Sequence, residues 1–321
     1  MHSLMKLVKI IKNNRRIAIA THIDPDCDGI SAVLACAHLV KHYKPQKPIL
    51  FCDSPIPTKY NLLLRRWKFT KKISDFDLLI VVDSAGISRV LPDLGDNMLA
   101  KLKSQMIVNI DHHRSNDSFG QLQIIDEHAS STCEMIYEIF RKLRIKIDQL
   151  LAEIFYCGIY SETGGFAYPN TTNKVFKIAS DLVRLGIKPS SLVKKLNAKT
   201  LGGTLLLSKV LNTIEIKDGV GIMYLTQNML KRSRAEMPDS ENFISFLQAI
   251  KAVRVSFFLR EEKGGTRISL RSDGIVDVDK LAAKYGGGGH RLAAGIKVKK
   301  DLNAAKQEIL SDILKELKRR A

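Results

Sequence analysis

Apolar residues in the first half of the chain fall in short unbroken runs. Ile17 to Ala20, Ile49 to Cys52, Leu78 to Val82 and Met106 to Ile110 are such runs, and a strand apolar at successive positions must be buried on both faces. That is how parallel strands covered by helices read. Helical periodicity separates the runs and continues after them, over Ser131 to Leu143, Gln149 to Tyr160 and Lys174 to Leu185. The pattern predicts an N-terminal α/β domain with a mostly parallel sheet and flanking helices. Gly186, Pro189 and the Ser190-Ser191 pair then break the helical period and predict a hinge. Beyond it the texture changes: Val220 to Leu225, Val253 to Leu259 and Arg267 to Leu270 read as strands, with Gly264-Gly265 as a hairpin turn. Ser240 to Lys251, Val276 to Lys284 and Leu302 to Lys318 read as helices, giving a smaller C-terminal α+β domain. The expected organisation is 1–188, a linker over 189–205, and 206–321.

Length agrees with two domains, since 321 residues is twice the usual size of about 150. Lys and Arg number 51 against 33 Asp and Glu, a net charge of +18 that suits polyanionic partners. No run reaches the roughly 18 to 20 apolar residues of a membrane span. Met1 to Arg16 is punctuated by lysines and lacks a signal-peptide core, so a cytoplasmic protein with no membrane partner is expected. Cys27, Cys36, Cys52, Cys133 and Cys157 are scattered without a C-x-x-C pair. They predict reduced thiols, neither a disulfide framework nor a zinc knuckle. The run Lys315 to Arg320 reads as the solvated end of a helix.

Candidate chemistry sits just after the apolar runs, where open α/β sheets build their sites. Ile17 to Ala20 leads into Thr21-His22-Ile23-Asp24-Pro25-Asp26-Cys27-Asp28, Leu78 to Val82 into Asp83, and Met106 to Ile110 into Asp111-His112-His113. A fourth cluster, Gly158 to Phe166, carries Glu162. Asp28 or Asp83 taken alone reads first as the N-cap of the next helix. The conjunction of four clusters reads otherwise, because carboxylates at this density repel one another unless cations lie among them. Carboxylates mixed with imidazoles, without thiolates, favour manganese or magnesium and leave iron or cobalt open. Two ions about 3.5 to 4 Å apart sharing a carboxylate balance five or more anionic ligands better than one does.

These motifs resemble those of the DHH phosphoesterases over nearly the whole chain. His22-x-x-Pro25-Asp26-x-Asp28 is similar to the first motif, Val82-Asp83-Ser84 to the second, Asp111-His112-His113 to the third and Gly158 to Phe166 to the fourth. The resemblance implies a two-manganese centre in which His22, Asp26 and Asp83 hold one ion. Asp28, Asp83, His112 and Glu162 would hold the other, with Asp83 bridging. Asp111 would orient the histidines, and His113 would face the substrate phosphate.

The C-terminal run Gly286-Gly287-Gly288-Gly289-His290-Arg291-Leu292-Ala293-Ala294-Gly295 is too glycine-dense for a helix or strand interior, and its amides suggest an anion-binding nest. It resembles the GGGH-x-x-AAG signature of the DHH-associated C-terminal domain of nanoRNases and related nucleotide phosphodiesterases. The resemblance implies that Arg271 and Ser272, with Gly288, Gly289 and His290, bind substrate. Ser131, in Ala129-Ser130-Ser131-Thr132, reads as a helix N-cap and as a further candidate for phosphate contact.

Three positions depart from the family pattern: Glu162 replaces the usual Asp, Cys27 stands where a small residue is usual, and Asp24 where Asn is common. The expected activity is manganese-dependent hydrolysis of short oligoribonucleotides or pAp, with magnesium or cobalt as substitutes and short RNA or small nucleotides as partners. A homodimer is compatible with the sequence. Cyclic di-AMP or its linear product is the alternative substrate class, and a nucleic-acid-binding protein with a degenerate site the alternative of another kind. A processive RecJ-type exonuclease is a third, against which the length of 321 residues counts.

Overall fold

The structure, a computed structural model, describes residues 2–73, 75–92, 102 and 105–319. Its chain divides into two units, Met1–Ala198 and Lys199–Ala321. The first is built on β1 (Ile17–Ala20), β2 (Ile49–Phe51), β3 (Phe69–Thr70), β4 (Leu78–Val82), β5 (Met106–Asp111) and β6 (Leu122–Ile125). These pair in the order β3-β2-β1-β4-β5-β6, every neighbour parallel. The parallel sheet is as the apolar runs predict, and successive residues serve two cores. Ile17, Ile19, Leu78, Ile80 and Val82 pack among the helices on one face, while Ala18, Ala20, Leu79 and Val81 pack with Phe51, Phe76 and Ile107 on the other. β3 and β6 escape the pattern because they are short edge strands with half-exposed positions. Strand order reverses between β1 and β4, and in open α/β sheets ligands bind at the carboxyl ends of the strands flanking such a reversal.

Helices in this unit are α1 (His2–Asn13), α2 (Cys27–Tyr43), α3 (Asn61–Leu64), α4 (Thr132–Lys142), α5 (Gln149–Glu162), α6 (Asn173–Arg184) and α7 (Pro189–Leu196). The lysine-punctuated start is an amphipathic helix that buries Leu4, Leu7, Val8, Ile10 and Ile11. Ser131, Asp148 and Thr172 cap α4, α5 and α6 by accepting a backbone N–H from three residues on. Pro189 does not break a helix: it opens α7 in the first turn, where its missing N–H costs nothing. The break before it is Gly186, at φ +89°.

The second unit contains α8 (Leu201–Leu211), β7 (Glu215–Lys217), β8 (Val220–Leu225), α9 (Gln227–Ser233), α10 (Ile244–Gln248), β9 (Val255–Glu262), β10 (Gly265–Ser272), α11 (Val278–Ala283), β11 (Gly288–His290), β12 (Ala293–Val298) and α12 (Leu302–Lys318). Its sheet runs β11-β12-β10-β9-β8-β7, antiparallel except between β8 and β9. Val255, Phe257 and Leu259 face Ile309 and Ile313 of α12, and Phe258 faces Leu206, Phe243 and Leu247 on the opposite side. The helix expected over Ser240 to Lys251 shrinks to α10, because Asn242 takes a left-handed φ of +64° and interrupts it. The basic end of the chain continues α12 to Lys318, and Arg320 lies outside the described residues. Among the described residues no helix is long and apolar enough to cross a membrane.

The glycine run corrects its sequence reading. Gly288 to His290 form a strand, β11, against β12, and most of the amides are already bonded within the protein. Gly286 and Gly287 donate to Ala283 O and Ala282 O, closing the end of α11, and Gly289 N donates to Asp279 Oδ1 at 2.8 Å. Glycine is required here by close backbone approach. A Cβ on Gly287 would lie 2.2 Å from Gly295 O, and one on Gly289 would lie 2.4 Å from Ala293 O. Gly287→Ala should therefore destabilise the protein by roughly 1–3 kcal/mol. Gly288→Ala, whose Cβ meets nothing nearer than Asp279 Oδ1 at 3.7 Å, should change stability by less than about 0.5 kcal/mol. Denaturant midpoints of the two variants check the contrast, and equal losses would refute the close-approach account.

Candidate metal centre

Turns leaving β1, β4 and β5 bring the acidic cluster to one end of the parallel sheet. Asp26 caps α2, accepting from Gly29 N at 3.0 Å, and Asp28 follows in the first turn, fully buried. Asp83 ends β4 in a left-handed conformation, φ +55°, which a short polar side chain tolerates better than most non-glycine residues. Its carboxylate lies 3.7 Å from His22 Nε2 and 3.5 Å from His112 Nε2. Ligand atoms of His22, Asp26 and Asp83 lie within 4.8 Å of one another, and so do those of Asp28, Asp83 and His112. Asp83, Asp111 and His113 form another such group. Asp83 is common to all three.

Neither Asp28 nor Asp83 caps the helix that follows it; Asp28 receives the start of a different one. Thr132 N and Cys133 N, the first amides of α4, donate to its two oxygens at 2.7 and 3.0 Å, and Thr132 Oγ1 donates to Asp83 Oδ1 at 2.9 Å. A helix N-terminus suits this because its free amides and dipole favour negative charge. Gly158 on α5 lets the helices close around the carboxylate: a Cβ there would lie 2.4 Å from Cys133 Sγ and 3.0 Å from Asp28 Oδ1. Asp111 was expected to orient both histidines, but it holds one. His113 Nδ1 lies 2.7 Å from Asp111 Oδ1, whereas His112 Nδ1 faces Ala129 O at 3.3 Å. The other Asp111 oxygen accepts from Asn116 Nδ2 at 2.6 Å, and the same amide lies 2.8 Å from Asn109 Oδ1.

Burial and the neighbouring Asp83 charge push the Asp28 carboxyl well above the usual carboxylate range. Burial acts the same way on Asp83, but the imidazole of His22 and the charges of His113 and His112 outweigh it and hold Asp83 low. His22 and His113 resist burial and are raised by Asp83 and Asp111 respectively, while burial and the His113 charge lower His112. Two buried carboxylates in repulsion, ringed by hard oxygen and nitrogen donors, fit a divalent cation, and the cluster is a divalent-metal site by its donor set. The thiols beside it are not donors. Cys27, Cys133 and Cys157 are buried and pushed up by burial, Cys157 to about 12, and protonated thiols are poor ligands. Cys27 fills space, its thiol directed at Cys157 O at 3.4 Å.

Other candidates fall around this cluster. Glu162, the last residue of α5, is half-buried and belongs to none of the three groups. Its backbone carbonyl accepts from Asn170 Nδ2 at 3.1 Å, and the same amide bonds Ser130 O at 3.0 Å. Ser131 is buried and uses its hydroxyl to accept from Glu134 N at 3.0 Å. In the second unit Arg271 and Ser272 line a cavity of about 70 Å³ with Gln248, Arg254 and Asp273. Ser272 Oγ accepts from Gly274 N at 3.0 Å and Val276 N at 3.2 Å. Sequence reasoning missed Thr132, Cys133, Asn116 and Asn109. Only Asn109, a polar residue inside the run Met106 to Ile110, left a signal.

The DHH family, N-terminal domain, matches residues 16–159, and the DHHA1 domain matches residues 219–320. The bifunctional oligoribonuclease and PAP phosphatase NrnA of Thermus thermophilus is 31% identical, over 94% of this chain and 90% of that protein. Its namesake in Bacillus subtilis is 29% identical, over 91% of this chain and 92% of that protein. Among solved structures, an exopolyphosphatase-related protein from Bacteroides fragilis shares the fold, with a TM-score of 0.82 at 23% identity, covering 99% of this chain and 96% of that one. RecJ from Thermus thermophilus, solved with Mn2+, shares it with a TM-score of 0.57 at 13% identity, over 99% of this chain and 55% of that one.

Mn2+ added to the metal-free protein should raise its Tm, by an amount equivalent to about 2.7 kcal/mol when the ion is at a hundred times its Kd. Asp83→Ala should abolish the rise. Equal rises in both proteins would place the ion elsewhere.

Proposed function

Because the chain belongs to the DHH family, we propose that it is a manganese-dependent phosphoesterase that cuts short oligoribonucleotides and pAp to mononucleotides. One observation carries the reading: two ligand triads, His22/Asp26/Asp83 and Asp28/Asp83/His112, share a single buried carboxylate. Shared carboxylates of this kind serve pairs of divalent ions that clamp a phosphoryl group. The substrate class rests on the oligoribonuclease and PAP phosphatase relatives, which align along most of the chain, and the net charge of +18 suits RNA.

In this reading the first triad holds one ion and the second the other, with Asp83 between them. Bound there, the cations supply the positive charge that acidifies an attacking water and offsets the charge growing on the phosphoryl oxygens. Asp28 is steadied by the start of α4, so its geometry does not depend on the ion alone. Asp111 holds the imidazole of His113 through Nδ1, leaving Nε2 for a phosphoryl oxygen. Glu162 joins the second site with a carboxylate one methylene longer than Asp. Arg271 and His290 grip the part of the substrate remote from the reacting phosphorus, with residues 1–188 as the catalytic domain and 206–321 as the substrate-binding one.

A panel of pAp, pApA, cyclic di-AMP and a ten-residue RNA, assayed with Mn2+, tests the function. The expected order is rapid turnover of pAp and pApA, with activity falling as RNA lengthens. Preference for cyclic di-AMP would favour the alternative substrate, the one in the name of the relative GdpP. Salt-sensitive binding of long RNA without manganese-dependent turnover would sink the enzyme reading.

Glu162→Asp should retain or raise the rate and Glu162→Gln should lower it sharply; wild-type kinetics and metal content in Glu162→Gln would remove Glu162 from the ligands. His290→Ala and Arg271→Ala should slow dinucleotide cleavage far more than hydrolysis of bis-p-nitrophenyl phosphate, because remote contacts act by positioning. Equal losses on both substrates would mean that these residues support the fold.

A further inference from the structure

Thr21, the residue between β1 and His22, is fully buried, and its hydroxyl has no hydrogen-bond partner. An orphaned hydroxyl in a protein interior costs stability, so this one is anomalous unless something binds it. Its surroundings are those of the metal cluster. The missing Cβ of Gly29 leaves a notch on the first turn of α2, and the point that atom would occupy lies 2.6 Å from Thr21 Oγ1, 3.2 Å from Asp83 Oδ2 and 3.5 Å from His22 Nε2. A hydroxyl, a carboxylate and an imidazole thus converge on one small space. Any larger residue at position 29 would displace the hydroxyl.

We propose that the Thr21 hydroxyl is a further donor to the divalent ion held by His22, Asp26 and Asp83. The inference rests on the metal-dependent reading of that triad. Three protein donors leave a manganese or magnesium ion short of the six ligands it prefers. A fourth carboxylate would deepen a repulsion that already pushes Asp28 away from its charged form. A neutral oxygen adds coordination without adding charge. Thr21 supplies one at the end of the strand that carries His22, and Gly29 keeps the approach clear.

The test is titration of the metal-free full-length chain with Mn2+, following the electron paramagnetic resonance signal of the free ion, with Tm measured in parallel. Thr21→Val keeps the shape and removes the hydroxyl. It should weaken the tightest class of Mn2+ site about tenfold or more while leaving the metal-free Tm unchanged or raised. Thr21→Ser keeps the hydroxyl and should bind close to wild type. Should Thr21→Val fail to fold, Thr21→Ser against Thr21→Ala gives the same comparison, since both lack the methyl and only one has the oxygen. Wild-type Mn2+ affinity in Thr21→Val, or in Thr21→Ala, overturns the inference and leaves the metal-dependent reading standing. Absence of Mn2+ binding by the wild-type chain overturns both.

Discussion

Two buried carboxylates, Asp28 and Asp83, set the terms for the N-terminal unit. They lie close enough for the charge of one to raise the pKa of the other, and they are buried where water cannot screen them. Three elements answer to that constraint. The left-handed turn at Asp83 ends β4 so that its carboxylate meets both His22 and His112. The first turn of α4 is aimed at Asp28 and touches Asp83 as well. Glycines at 29 and 158 let α2 and α5 approach without a Cβ entering the cluster. The strand-order reversal between β1 and β4 supplies the place, and these local devices supply the charge balance.

Much of the architecture was legible because it follows from burial. A strand covered on both faces has to be apolar at every position, so β1, β2, β4 and β5 announce themselves in Ile17 to Ala20, Ile49 to Cys52, Leu78 to Val82 and Met106 to Ile110. β3 and β6 are edge strands with half-exposed positions, and α1 hides its apolar stripe among lysines. Such elements obey tertiary packing more than local pattern. The glycine run misled for a different reason. Density of glycine signals backbone freedom, yet at Gly287 and Gly289 the requirement is close approach of another strand, a fact of pairing that no local window contains.

Side chains that share the cluster were easier to read than the groups that hold them. His22, Asp26, Asp28, Asp83, Asp111, His112 and His113 are charged or titratable residues at strand ends, where the chemistry is visible in the residue type. The partners are backbone amides of Thr132 and Cys133, more than a hundred positions from Asp28, and an amide leaves no mark in a sequence. Asn116 is a polar residue in a polar loop, visible only once its bond to Asp111 at 2.6 Å is known. Ser131 announced a helix start and is one; that the two residues after it serve Asp28 follows only from the packing of α4 over α2.

The choice of partners for the buried carboxylates has a chemical logic. Among the described residues no Lys or Arg pairs with Asp26, Asp28, Asp83 or Asp111; their contacts are amides, a hydroxyl and imidazoles. A lysine or arginine would neutralise the cluster permanently and compete with any cation. Amides and hydroxyls orient lone pairs and carry no formal charge, so they fix the geometry while leaving the negative charge to be answered from outside. Lys174 shows the contrast nearby: it pairs with buried Glu134 at 2.8 Å, and Glu134 in turn holds Ser130 through its N–H and hydroxyl. There the charge is spent inside the protein and secures the approach to α4. At Asp28 and Asp83 it is kept available, which is the condition a divalent-metal site has to meet.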